Sequence, residues 1–146
     1  MGQPSHHALV LKNGRRAAGE ASAWARTVVE DHGVPAEQTE ALDLCIVELV
    51  ANIADHGYGD APGEVRLALV LAAHRLTLTI EDDGPAFDPL QQATPQQAGS
   101  LEEAQIGGLG IHLVRQFASG CRYQRTGHTN HLEVTFNTHA THAATN

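Results

Sequence analysis

The apolar and polar positions alternate with two different periods along this chain, and the change of period marks out its elements. Residues 41–58, ALDLCIVELVANIADHGY, place Leu42, Cys45, Ile46, Leu49 and Ile53 at helical spacing, one stripe for a core. An earlier helix is predicted over 16–32, with Ala21, Trp24, Ala25, Val28 and His32 on one face and Gly33 at its end. Pro35 then sits near the first turn of the central helix, where its missing N–H costs nothing. Residues 8–11 suit a first strand before an Asn13-Gly14 turn. Strict alternation over 64–71 and 76–81 (Val65, Leu67, Leu69, Leu71; Leu76, Leu78, Ile80) predicts an antiparallel hairpin with its apolar side toward the helices. Residues 107–118 read as a helix opening on glycines. A closing hairpin follows over 120–125 and 131–137, with Leu132, Val134 and Phe136 inward.

Strand, two helices, two strands, loop, helix, two strands is not the alternation of a parallel doubly wound sheet. The order predicts an α+β fold: a two-layer sandwich, a mostly antiparallel mixed sheet with helices on one face. The polar stretch 89–106, PLQQATPQQAGSLEEAQI, is a loop of a length that is usually functional or disordered. Residues 138–146 form a polar, flexible tail.

Composition narrows the function. A chain of 146 residues suits one domain, with its core over about 8–137. The net charge of −8, from 9 Lys+Arg against 17 Asp+Glu, argues against nucleic acid or an anionic membrane as the main partner. A nucleotide needs only a local positive field and stays open. The ten His show no compact ligand spacing, and Cys45 and Cys121 form no redox or metal motif. Cys45 falls on the apolar stripe as a buried thiol. With no run of transmembrane length and no signal-peptide pattern, the expected location is cytoplasmic.

Three stretches carry candidate chemistry. Along the edge of the central stripe, Glu48 and Asn52 lie four residues apart on one face, and His56 continues the row before Gly57 closes the helix. A divalent metal carrying a phosphate would offset the cost of burying such a carboxylate, and Mg2+ is held by one or two protein oxygens plus waters and phosphates. A solvated polar edge would read the same way. Next, Asp82-Asp83-Gly84 ends a strand; a carboxylate there can accept from an exocyclic amine, and glycine lets the backbone approach a flat ligand. An ordinary Asp-Gly-Pro turn reads alike. Last, Gly107-Gly108-Leu109-Gly110 opens a helix, where free N–H groups and the helix dipole favour an anion. The loop between the second and third stretches could close as a lid.

Taken in this order, the three stretches resemble the N, G1 and G2 boxes of the nucleotide-binding fold shared by gyrase, heat-shock chaperones, histidine kinases and mismatch-repair proteins (the GHKL superfamily). The wording of ELVANIADHGY, EDDGPAFDP and GGLGIHLVRQFA is most similar to the RsbW-type branch, anti-sigma factors that are also serine-protein kinases. The resemblance runs from about Leu9 to Phe136 and implies a Bergerat-type ATP-binding fold. It implies ATP or ADP with Mg2+ as cofactors, a sigma factor and a STAS-type anti-sigma-factor antagonist as protein partners, transcription regulation, and a homodimer. By residue, it implies Asn52 as Mg2+ ligand and Glu48 as general base. Asp82 would bind the adenine amine with Gly84 and Ala86 beside it, and Gly108, Leu109 and Gly110 would meet the phosphates, with His56 as a further phosphate donor or helix cap.

Some positions depart from the family pattern. Ala86 stands where the G1 box has its second glycine, and Asp55 stands where kinase relatives often carry Lys. Residues 89–106 contain no Lys or Arg, so Arg115 and Arg122 are the nearest candidate cations. The leading expectation is therefore an ATP-dependent kinase that also sequesters a partner. The alternative is a catalytically weak, nucleotide-dependent binding module. A histidine-kinase catalytic module is disfavoured because no second helical pair carries a phosphoacceptor His, and an ATP-driven clamp because no large second domain follows.

Overall fold

The computed structural model describes residues 3–91 and 114–138. Strand β1 (Ser5–Lys12) leads into helix α1 (Ala17–Asp31) and helix α2 (Ala36–Ile53). Strands β2 (Glu64–Leu71), β3 (Arg75–Asp82), β4 (Gly120–Thr126) and β5 (Thr129–Asn137) complete a five-stranded sheet of order β1-β2-β3-β5-β4. All four pairings are antiparallel. Residues 114–117 are helical. The α+β architecture expected from the pattern is the one observed, and the Gly107 to Gly110 stretch and the lid loop beyond Gln91 lie outside the described residues.

Period-2 alternation turns one face of every strand toward the helices. In register, Leu9, Leu67, Ile80, Leu132 and Tyr123 form a continuous row across all five strands. The helices close this face with Ala21, Ala25, Val28 and Val29 of α1 and Leu42, Cys45, Ile46 and Leu49 of α2, all in one core with Leu69, Leu78, Val134 and Phe136. Each fully buried Leu, Ile or Phe contributes about 1.5–3 kcal/mol. The small residues on α1 let it approach closely. Arg26 ties α1 to α2 through Glu40 at 2.9 Å and Asp43 at 3.1 Å, and Ser22 donates to Asp43 as well.

The other face of the sheet is a charged ladder. Arg66, Glu81, His131 and Gln124 fall in one cross-strand row, with His131 Nδ1 2.7 Å from Glu81 Oε2. Arg122 lies on this face too, paired with Glu133 at 2.9 Å. It is on the side of the sheet away from the helices, and so cannot supply the cation that the lid lacks.

The end of α2 differs from expectation. Gly57 does not close the helix; residues Ala54–Tyr58 continue it as one π-helical turn, in which Gly59 N–H donates to Ala54 O at 2.8 Å. Gly59, at φ +61°, makes the exit. Asn13, in the turn after β1, holds that exit by donating from Nδ2 to Gly59 O and Ala61 O, both at 2.9 Å.

Candidate functional site

One row further along the sheet, the same register brings a different set of side chains inward. Leu11, Val65, Asp82, Asn130 and Arg125 are consecutive cross-strand partners. Two apolar positions give way to an acid, an amide and a cation at the end of the core-facing surface. Asp82 is 6% exposed and Asn130 6% exposed. Groups so dry need partners.

They have them. Asp82 Oδ1 accepts from Gly84 N–H at 2.9 Å and from Asn130 Nδ2 at 3.0 Å. Asn130 Nδ2 also donates to Pro85 O at 2.9 Å, while its Oδ1 accepts from Phe87 N–H at 3.3 Å and from the Tyr123 hydroxyl. Arg125 Nη1 donates to Gly84 O at 2.7 Å. The chain from Asp83 to Phe87 is thus pinned to the β4–β5 hairpin by side chains more than 40 residues away in sequence. On its outer side, Arg66 forks onto Asp83 with two bonds of 2.9 Å, and Thr129 donates to Asp83 at 2.8 Å. The Arg66 guanidinium, helped by the Thr129 hydroxyl, holds the Asp83 carboxyl down at about 2.

The π-helical turn meets this loop from the other side. Tyr58 O–H donates to Glu64 O at 2.7 Å and accepts from Asp83 N–H at 2.8 Å. Gly84 sits close to its neighbours: a Cβ there would stand 3.1 Å from Asp82 Oδ1, a tight contact, and 3.6 Å from the Gly57 carbonyl carbon. This close approach is the reason for glycine at 84.

Between α2 and the loop lies a small cavity of about 30 Å³. Leu49, Asn52, Ile53 and Gly57 form the helix wall; Ile80, Asp82, Asn130, Leu132 and Tyr123 form the sheet wall; Pro85, Phe87 and Pro89 close the loop side. The lining is apolar with a few polar groups, the usual make-up of a small-molecule site. Asn52 is 8% exposed, and its Nδ2 has no hydrogen-bond partner. An orphaned amide in a cavity wall costs free energy in the empty protein, and a ligand that pairs with it recovers that cost.

The candidate residues are therefore placed as follows. Asn52 and Asp82 face one cavity from opposite walls, with buried Gly84 beside Asp82. Glu48 is half-buried one turn before Asn52 and does not line the cavity; among the described residues it has no hydrogen-bond or ion-pair partner. His56 is exposed and outside the lining, its ring stacked on Phe87 at 4.7 Å between centroids and 11° between planes. Ala86 is exposed and outside the lining as well. Gly108, Leu109 and Gly110 lie outside the described residues. Arg115 donates to Leu90 O, at the entrance to the lid stretch.

Sequence reading missed Asn130, Tyr123, Arg125 and Tyr58. A signal existed for Asn130: it precedes Leu132, Val134 and Phe136 in the same inward period, so an amide falls where the pattern calls for an apolar residue. For Tyr58 and Arg125 there was none, since their partners are set by tertiary contacts.

An antiparallel sheet with helices on one face, and a small cavity under one helix beside an acid at a strand end, makes this a two-layer α+β domain. A model of the histidine kinase-like ATPase domain matches residues 12–136. The serine/threonine-protein kinase BtrW of Bordetella bronchiseptica is 39% identical over 95 residues, which cover 64% of this chain and 67% of that one. The serine-protein kinase RsbW of Listeria monocytogenes is 29% identical over 87 residues, 56% of this chain and 55% of that protein. Among solved structures, the RsbU and RsbW domains of Rv1364c from Mycobacterium tuberculosis superpose with TM-score 0.61 at 19% identity, over 92% of this chain and 32% of that one, a likeness of fold. The chain thus spans little more than half the length of RsbW and a third of the mycobacterial chain. It belongs to the histidine kinase-like ATPase family.

Proposed function

We propose that this protein binds ATP or ADP with Mg2+ in the cavity between α2 and the Asp82 to Phe87 loop, and transfers a phosphoryl group to a serine of a partner protein. The single observation that carries the reading is that Asn52 and Asp82 form opposite walls of one largely apolar cavity, with the Asn52 amide left unpaired. In this reading the small cavity widens around a flat base beside Asp82, with the α2 side left for the phosphates. Kinase activity of this kind is what BtrW and RsbW are named for.

The residues fit a metal–nucleotide pair. Mg2+ keeps most of its coordination in water and phosphate oxygens, so one protein oxygen suffices. With its terminal atoms exchanged, the Asn52 amide presents that oxygen, since among the described residues no partner fixes Nδ2. Held there by Asn52, the ion would supply positive charge against the phosphates during transfer. The chain's own residues do the rest. Asp82 Oδ2, which receives no hydrogen bond among the described residues, accepts from the exocyclic amine of adenine. Phe87, Pro85 and Leu132 exclude water from the base. Glu48, unpaired one turn before Asn52, takes the proton of the incoming serine hydroxyl directly or through one water. Gly108, Leu109 and Gly110 donate backbone N–H groups to the phosphates, and His56 stands at the mouth on Phe87.

The partners in this reading are a sigma factor, which the protein sequesters, and a STAS-type antagonist carrying the serine, in the cytoplasm and with the protein as a homodimer. Among the described residues no helix is long and apolar enough to cross a membrane. A second reading keeps nucleotide binding without phosphoryl transfer. The cation-free stretch 89–106, the exposed Asp55 next to the site, and Arg122 on the far face of the sheet favour it.

Calorimetry with ATP, with and without Mg2+, on wild type and Asn52→Ala tests the site: binding that needs the metal and is lost in the variant is expected. Binding indifferent to Mg2+ overturns the assignment. Phosphate transfer to a serine-bearing antagonist, measured in wild type and Glu48→Ala, separates the two readings, because only the kinase reading requires a rate that falls with Glu48.

A further inference from the structure

Asn130 is the most completely used side chain in the described protein. An Asn amide offers two donors and one oxygen with two lone pairs. At 6% exposure, Asn130 spends all four: Asp82 Oδ1 and Pro85 O take its donors, and Phe87 N–H and the Tyr123 hydroxyl meet its oxygen. The arrangement is self-orienting. Two fixed donors, an N–H and an O–H, point at Oδ1, so the amide cannot turn over without setting its NH2 against donors and its oxygen against the Pro85 carbonyl. Nδ2 must therefore face Asp82.

A core position in this strand needs no amide. The next inward places are Leu132, Val134 and Phe136. What the amide adds is control of a carboxylate. Gly84 N–H and Asn130 Nδ2 both hold Oδ1 of Asp82, which lines the cavity, and Oδ2 is left without a hydrogen bond among the described residues. Through Pro85 and Phe87, Asn130 also fixes the loop that closes the base side of the same cavity.

We infer that Asn130, oriented by Tyr123, is a positioning residue for base discrimination: it aims Asp82 Oδ2 at a purine carrying a 6-amino group and so sets selection against 6-oxo purines. The inference rests on the nucleotide reading of the cavity given above. A 6-amino group donates to Oδ2, whereas a 6-oxo group brings a second acceptor against it. Only a carboxylate held in one orientation converts that difference into selectivity.

The test compares affinities for ATP and inosine triphosphate, with Mg2+, in wild type, Asn130→Asp and Tyr123→Phe, with thermal unfolding measured alongside. Asn130→Asp keeps the shape and replaces the donor nitrogen by an acceptor, so the ATP-over-inosine preference is expected to fall by about tenfold or more. Tyr123→Phe removes one of the two donors that orient the amide, and a smaller fall in the same direction, about two- to fivefold, is expected. A purely structural amide would weaken both nucleotides alike. Preference unchanged in both variants overturns the inference while leaving the nucleotide site standing. If Asn130→Asp does not fold, Tyr123→Phe alone decides: unchanged preference overturns the inference. A wild type that binds both equally overturns this inference alone, whereas one that binds neither nucleotide overturns the parent reading and this one with it.

Discussion

The Tyr58 ring lies directly over Gly63, so that a Cβ built on Gly63 would fall well inside 3.0 Å of the ring carbons Cε1 and Cζ. The ring is not free to yield, because its hydroxyl is held by both Glu64 O and Asp83 N–H. The one residue that bridges the π-helical turn to the Asp83 loop is thus seated on the absence of a side chain.

Gly63→Ala should expel that ring and break both bonds. The expected cost is about 1–3 kcal/mol, read as a lower urea midpoint. Tyr58→Phe, which leaves the packing and removes the bonds, should cost about 1 kcal/mol. A Gly63→Ala protein as stable as wild type would mean that the ring moves without cost.

Asn52 should trade stability against binding. Its Nδ2 is buried without a partner, so Asn52→Leu removes a desolvated donor and adds apolar surface next to Leu49 and Ile53. The ligand-free variant is expected to unfold at or above the wild-type midpoint, by up to about 1 kcal/mol. Metal-dependent nucleotide binding should be lost in the same protein. Calorimetry and denaturant unfolding on one preparation check both halves, and a variant that loses stability and keeps binding contradicts both.

How much of this was legible in the sequence follows from which contacts are local. The core-facing positions of the strands were, because a period of 2 over Val65 to Leu71, Leu76 to Ile80 and Leu132 to Phe136 admits one inward set. Asn52 and Asp82 were legible as candidates, since each is a polar residue at the edge of an apolar stripe. That they share one cavity is a tertiary fact, carried by the packing of α2 on the sheet, with Leu49 and Ile80 in one core. The π-helical turn was hidden, since the partners of its Tyr58 hydroxyl, Glu64 and Asp83, lie outside the helix. Gly57 was read as the helix end by composition, whereas the positive φ falls on Gly59.

Acid should loosen the outer clamp of the Asp83 loop. The Arg66 guanidinium and Thr129 hydroxyl lower the Asp83 carboxyl from its ordinary 3.8 to about 2 in the folded protein. A depressed folded value contributes stability that is fully present above about pH 4 and is lost as pH falls through 2. Asp83 is 47% exposed, so solvent screening keeps the effect below about 1 kcal/mol. Other carboxylates titrate in the same window, so the quantity to measure is the difference between wild type and Asp83→Asn in urea midpoint from pH 5 to pH 2. That difference should shrink toward pH 2; a gap independent of pH would show that the charge is immaterial.

Cys45 should behave as an inert thiol until the core opens. It is fully buried between α2 and the sheet, and burial pushes its thiol up to about 12. Cys121, half-buried on β4, is raised less, since Arg115 opposes the effect of burial. The thiolate is the nucleophile, so at pH 8 in native conditions iodoacetamide should label Cys121 slowly and Cys45 not at all over the same interval. In 6–8 M urea, about the strength that unfolds small domains, both should react at comparable rates. Because the unfolded chain would ionise Cys45 near 9 and the folded one near 12, the raised value contributes stability below pH 9 that declines as pH rises through that window. Labelling followed by peptide mass mapping reads the site directly, and native-state modification of Cys45 as fast as Cys121 would show that α2 separates from the sheet far more often than a packed core permits.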